Sequence, residues 1–228
     1  MHFYDGPDGT KIPSVTTILK IMVAEELLHW SNWLGFKHIK YEDELDRTSN
    51  IGTNIHRGVQ LIVDPNSAEP MVYQNSFDRA YYEDIFNRFR IFISQFSYET
   101  VFTEKTLVSP ELGFGGTLDW YAKIGGFMLL CDFKSSKDVR LKHMLQLGGY
   151  YSLLKSQGYT VNGGSIIIVN NKTCKMYPVR EPVLQEMADV FSHLVYIYKE
   201  LNGGKYLPKA DHQFLEELKK KLPEQVAV

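Results

Sequence analysis

The chain has 228 residues, 44% apolar and 23% charged, the ordinary make-up of a soluble globular protein with room for one α/β core or two small domains. A formal net charge of −2 gives no global basic field, which counts mildly against a protein that coats DNA but not against a site whose positive charge comes from a bound metal. Two cysteines, Cys131 and Cys174, stand in no metal-ligand spacing and exclude a four-cysteine iron–sulfur cluster within the chain.

The cysteines read as reduced, buried thiols, although two could in principle pair. Aromatic residues make up 13%. A packed core accounts for most of them, and exposed ones offer faces on which bases can stack. The opening MHFYDGPDG has no basic region followed by an apolar run, so no secretory signal is expected, and it is not an Arg-rich transit peptide. No stretch approaches 18 uninterrupted apolar residues, so no membrane span is expected.

In chain order, Asp5-Gly6-Pro7-Asp8-Gly9 carries the turn chemistry of a small hairpin. Ser14 can cap a helix whose apolar positions run through Ile21 and Met22. A second helix is expected over 25–38, with Leu27, Trp30 and Leu34 on one face. The polar stretch 42–50 reads as a loop. Ile55, Val59 and Ile62 then recur at helical spacing until Asp64-Pro65-Asn66 stops the helix. A long helix follows over 76–96.

The character changes at Tyr98. Runs over 98–108, 113–124 and 127–134 read as strands, with Gly125-Gly126 as a hairpin turn between the last two. A helix over 141–157, strands over 164–170 and 173–179, and a helix over 183–201 complete the pattern, with a charged surface helix expected from about Asp211. No Pro/Gly/Ser-rich linker interrupts it. The expectation is one α/β domain over 1–228: a mainly helical part to 97 packed over a sheet core at 98–201, then a tail.

The chemistry concentrates on Asp119 and on Asp132-Phe133-Lys134, in neighbouring strands. Side chains alternate along a strand, so Asp132 and Lys134 share one face with Leu130, while Leu129, Cys131 and Phe133 share the other. Charged groups in an otherwise apolar strand are costly unless paired or metal-bound. Asp119 can approach Asp132. Two close carboxylates repel, a divalent cation relieves this, and hard oxygen donors favour Mg²⁺ or Mn²⁺ over Zn²⁺. An acid-x-Lys tripeptide alone says little, and Glu217-Leu218-Lys219 is a second match without an apolar strand around it. A structural Asp132–Lys134 salt bridge is the bland alternative.

Gln146 and Tyr150 lie one turn apart on the helix after that strand, where both can reach over the strand ends. As a pair they are also compatible with a surface glutamine beside a core-edge tyrosine. His56 sits in Gly52-Thr53-Asn54-Ile55-His56; a lone histidine is more often a surface or satisfied core residue, but its imidazole can ligate a metal. Glu104, on the strand before Asp119, reads as a strand-surface residue, with ligand or supporting acid as the alternative.

Taken in order, Gly52-Thr53-Asn54-Ile55-His56, Gly115-Gly116-Thr117-Leu118-Asp119, Asp132-Phe133-Lys134 and Gln146-Leu147-Gly148-Gly149-Tyr150 resemble the RecB-type branch of the PD-(D/E)XK nucleases. Pro13-Ser14-Val15-Thr16, with Trp30 beyond it, is similar to the mitochondrial genome-maintenance exonucleases and related phage exonucleases. The resemblance spans about residues 12–200. It implies a restriction-endonuclease-like core, a central mixed sheet flanked by helices with an N-terminal helical region.

The same resemblance implies that His56, Asp119, Asp132 and the Phe133 carbonyl bind Mg²⁺ or Mn²⁺. Lys134 orients water and stabilises phosphate charge, and Gln146 positions Lys134 or the phosphate. Tyr150 contacts DNA or supports its helix, and Ser14 or Thr16 contacts a phosphate. The implied activity is exonucleolytic hydrolysis of single-stranded DNA, with a flap or junction endonuclease and an inactive nucleic-acid-binding module as alternatives. No GxxxxGK[ST] motif is present, so an unwinding or recombination partner is expected to be a separate protein. The absence of a transit peptide favours the cytoplasm of a bacterial or phage-infected cell over the mitochondrial matrix.

Overall fold

In the computed structural model, residues 2–7, 9–22, 25–67 and 70–203 are described, with the backbone alone at 25–28 and 203. The expected hairpin pairs β1 (Phe3–Asp5) with β2 (Lys11–Pro13). Ser14 then caps α1 (Val15–Ile18), its hydroxyl accepting from the Thr17 amide, and a 3₁₀ turn at Leu19–Ile21 follows. Next come α2 (Glu25–Phe36), α3 (Tyr41–Val63) and α4 (Ser76–Ile93).

The polar stretch 42–50 is helix and not loop. Glu42, Asp43 and Glu44 complement the positive end of the α3 dipole, and Arg47 pairs with Glu44 at 2.6 Å one turn away. The buried half of the same helix, with Ile55, Val59 and Val63, anchors it, so the polar half continues into solvent without needing an apolar face.

The second half of the chain is a five-stranded sheet in sequence order. β3 (Tyr98–Ser109), β4 (Phe114–Ile124) and β5 (Phe127–Lys134) form an antiparallel meander. Gly125 and Gly126 have φ of +57° and +88°, the left-handed pair that a tight hairpin of matching twist requires. Helix α5 (Leu141–Ser156) then crosses over, so that β6 (Gly163–Val169) lies parallel to β5, and β7 (Cys174–Arg180) closes the sheet antiparallel to β6. This mixed sheet flanked by helices is the expected restriction-endonuclease-like core. Helix α6 (Glu181–Gly203) ends the described chain, and the surface helix expected from Asp211 lies outside the described residues.

Alternation divides the sheet into two faces. Trp120, Ala122, Cys131, Phe133, Ile167 and Val169 turn toward α3 and α4 and pack with Ile55, Val59, Ile85, Phe86 and Phe89. Helix α5 covers the opposite face, where Leu130 and Asp132 are fully buried. Both cysteines are free thiols. Residues to Val195 form one unit and Tyr196 begins a second, of which the last turns of α6 are described. Among the described residues, no helix is long and apolar enough to cross a membrane.

Helix α5 lies close against α6 because Gly148 has no side chain: a Cβ there would stand 2.5 Å from the Met187 carbonyl carbon. Backbone cannot swing aside, so Gly148→Ala is expected to cost about 1–3 kcal/mol in denaturant unfolding. Gly35→Ala is the control. It lies in α2 with open space around its Cβ position and is expected to be neutral or stabilising by up to about 1 kcal/mol.

Candidate functional site

The site forms where β4 and β5 part. Their ladder runs to Trp120 opposite Cys131. The next amide that needs a partner, Phe133 N–H, donates instead to the Asp119 side chain (Oδ2, 2.8 Å). A carboxylate thus takes over from the neighbouring strand's carbonyl, holding Asp119 in one orientation.

Asp132 is fully buried on the α5 face, with Lys134 Nζ 2.5 Å from its Oδ2. Among the described residues no other donor reaches either Asp132 oxygen. The Asp119 carboxylate lies close by, and its charge repels that of Asp132. Two carboxylates stay close when one is protonated or a cation joins them. Burial pushes Asp132 up to about 6, against the pull of Lys134 and with the repulsion of Asp119. Burial raises Asp119 as well, opposed by Lys134 and the Phe133 amide. Burial alone would lower Lys134, but Asp132, Asp119 and Glu104 outweigh it and leave it raised, so this lysine stays charged.

His56 reaches in from α3. Its Nδ1 is 3.5 Å from Asp119 Oδ2, and its ring meets the Phe133 ring edge-on. Burial, followed by the charge of Lys134, lowers it to about 4. The imidazole is therefore neutral near pH 7 and keeps a lone pair for a metal.

Glu104 is part of this group and not merely a strand-surface residue. One ligand atom each from His56, Glu104 and Asp119 lies within 4.8 Å of the others. The β3–β4 register explains why. Thr103 pairs with Trp120 and Lys105 with Leu118, which leaves Glu104 opposite Asp119 without a ladder pair. Its φ of +46° lies in the left-handed region, which costs a non-glycine residue roughly 1–2 kcal/mol. Part of the side chain reaches solvent. Even so, desolvation first, then Asp119 and Asp132, push its carboxyl up to about 7. The Pro110–Gly113 turn sets this register, and with no turn expected there from the sequence, Glu104 was not brought opposite Asp119.

The donors fit a hard divalent cation: two carboxylates and a neutral imidazole converge, beside a buried Asp132 carboxylate that Lys134 alone partners among the described residues. Asp132 itself is turned to Lys134. Gln146 Nε2 donates to Tyr150 Oη (2.8 Å), as their one-turn spacing allows, but Tyr150 is buried. It lies over Gly116, where a Cβ would come within 2.5 Å of its ring. Ser14 is buried, bonded to both Thr16 and Thr17, whereas Thr16 is exposed.

No protein-family model matches the chain, and no curated protein sequence matches it. Among solved structures, the crystal structure of SSO0001 is 14% identical, covering 82% of this chain and 75% of that one with a TM-score of 0.43. The crystal structure of LHK-Exo in complex with dAMP is 11% identical, covering 75% and 97%, with a TM-score of 0.34.

Glu104→Gln separates the cost of this cluster from its use. The folded-state pKa of about 7 lies above the ordinary carboxylate value, so the stability it contributes is present in acid and lost as pH rises through 7. The variant is expected to raise the metal-free melting temperature above pH 7, to leave it unchanged in acid, and to weaken Mn²⁺ binding by about tenfold or more in calorimetry. Glu99→Gln, exposed on the same strand, is expected to change neither.

Proposed function

We propose that this chain is a divalent-metal-dependent deoxyribonuclease of the PD-(D/E)XK superfamily, RecB-type branch, acting as an exonuclease on the ends of single-stranded DNA. The observation that carries the reading is the meeting of Asp119, Asp132 and Lys134 where β4 and β5 part, with His56 and Glu104 beside them. A structural ion pair alone does not account for the second carboxylate, the histidine and the strained glutamate gathered around it. The preference for DNA and for free ends comes from the sequence resemblance.

His56, Glu104 and Asp119 would hold the metal, with Asp132 and the Phe133 carbonyl as the further donors the resemblance implies. A bound Mg²⁺ or Mn²⁺ supplies Lewis acidity toward a phosphate and a more acidic water. Without a metal, the surrounding carboxylates hold Lys134 protonated, as a hydrogen-bond donor. Its part is to donate hydrogen bonds, orienting that water and stabilising charge on the phosphate oxygens. Gln146 commits its amide nitrogen to Tyr150, leaving its carbonyl oxygen as the acceptor it can offer to Lys134 or to water. Buried Tyr150 braces that arrangement. Thr16, exposed although its hydroxyl is bonded to Ser14, is the member of the N-terminal motif that can meet a phosphate. A separate helicase or recombination protein is the partner expected to deliver single strands.

End-labelled linear single-stranded DNA, incubated with Mg²⁺ or Mn²⁺ and with EDTA, tests the reading. Metal-dependent degradation is expected, falling about a hundredfold or more, roughly 3 kcal/mol of barrier, in Lys134→Ala and Asp119→Asn variants shown to be folded by circular dichroism. Circular single-stranded DNA is expected to survive, and its cleavage would make the enzyme an endonuclease. Near-wild-type cleavage by both variants would sink the assignment.

A further inference from the structure

Beyond Lys134 the strand registers carry the same sheet face outward. Lys134 pairs with Ile168, and Ile168 with Lys175; Asp132 pairs with Ile166, and Ile166 with Tyr177. Directly paired residues share a face, so Lys175 and Tyr177 extend the two rows that hold the catalytic pair. Cys174 and Met176 turn the other way and pack on the core. With strands about 4.8 Å apart, Lys175 stands about 10 Å from Lys134 across the sheet.

Above this edge lies a cleft of about 450 Å³ between the loop after β5 and the β6–β7 turn. Its walls are tied together. Asn170 Nδ2 donates to the Ser136 carbonyl (3.0 Å), while Asn170 Oδ1 accepts from the amides of Lys172 (2.9 Å) and Thr173 (3.0 Å). Lys137, Lys172 and Lys175 line the cleft and are exposed, and none forms an ion pair among the described residues. One acid, Asp138, lines it with them. In a chain of 25 Lys and Arg against 27 Asp and Glu, three unpaired cations in one cleft are a local concentration. Tyr177 adds an aromatic ring, 36% exposed.

We propose that this cleft is a binding groove for a single nucleic-acid strand, gripping the backbone on one side of the phosphate that lies at Lys134. The proposal rests on the nuclease reading. Lys137, Lys172 and Lys175 meet phosphates without regard to sequence, and Tyr177 stacks on a base. Continuity with the catalytic rows favours a phosphodiester chain over an acidic peptide. The cross-linked walls make the groove preformed, so less ordering accompanies binding.

Fluorescence anisotropy in EDTA, where cleavage plays no part, tests the groove. The probes are labelled oligothymidylate and oligouridylate of about 20 nucleotides, longer than typical single-strand site sizes. The triple variant Lys137→Glu/Lys172→Glu/Lys175→Glu is expected to bind both at least tenfold more weakly. The slope of log affinity against log salt is expected to shrink by about 2, at roughly 0.7 for each lost contact. Tyr177→Ala is expected to weaken binding at least fivefold.

Lys123→Glu, exposed at the far end of β4, is the charge control and is expected to bind as wild type. An equal loss in Lys123→Glu and Lys175→Glu would reduce the effect to bulk charge and overturn the groove. So would a triple variant that binds within twofold of wild type with an unchanged slope, or a wild type that binds neither probe. If wild type cleaves DNA while the triple variant binds normally, the groove fails and the nuclease stands. If the groove variants lose binding while wild type cleaves nothing, the groove stands and the nuclease reading fails.

Discussion

A carboxylate buried where a β-ladder ends is the constraint on which this structure turns. Asp132 has no solvent, and Lys134 alone among the described residues offers it a proton donor. Such a pair is a poor way to stabilise a fold, because the cost of desolvating both charges rivals their attraction, and an apolar pair of similar volume would often serve better. Asp119 adds a second carboxylate whose charge repels the first. The fold thus concentrates charge at a cost in desolvation, and perturbed buried groups of this kind are candidates for function.

The surrounding fold is organised to hold that charge still. The parting of β4 and β5 frees the Phe133 amide, and that amide is what orients Asp119. Phe133 itself packs among Phe89 and Trp120, so the backbone donor is anchored by aromatic contacts beneath it. Helix α3 reaches the site with His56 because its lower half is locked into the same core through Ile55 and Val59. Glu104 arrives by a strained residue in β3, and the long β3–β4 ladder on either side of it holds the strain in place.

Electrostatics at the site run against the chain as a whole. A net charge of −2 describes a surface on which acids and bases nearly cancel, but their placement is uneven. Acids gather around Asp119, where burial first and then repulsion raise Glu104 and Asp132, and where Asp132, Asp119 and Glu104 together hold Lys134 protonated. Lys175 lies a short distance away on the same sheet face, with Lys137 and Lys172 on the loops beside it. Near-neutral composition therefore says little about affinity for a polyanion, which depends on local contacts and on salt.

Much of this was legible in the residues themselves. Alternation in 127–134 placed Asp132 and Lys134 on one face, and Gly125-Gly126 marked the turn that sets this strand beside Asp119. The four-residue spacing of Gln146 and Tyr150 put them in contact. These are local facts, because helix and strand periods and turn chemistry act over a few neighbouring residues. The helical state of 42–50 was not legible in this way, since its polar sequence is held by an anchor that lies further along α3.

Tertiary structure decided what depends on partners distant in sequence. It used the Ser14 hydroxyl in a buried cap, enclosed Tyr150 against Gly116, and brought Glu104 into register with Asp119. It also lined up Lys175 with Lys134 across three strands. Sequence alone determined which groups could do chemistry. Strand register and burial determined which of them meet, because both are set by contacts between segments and not by any one segment.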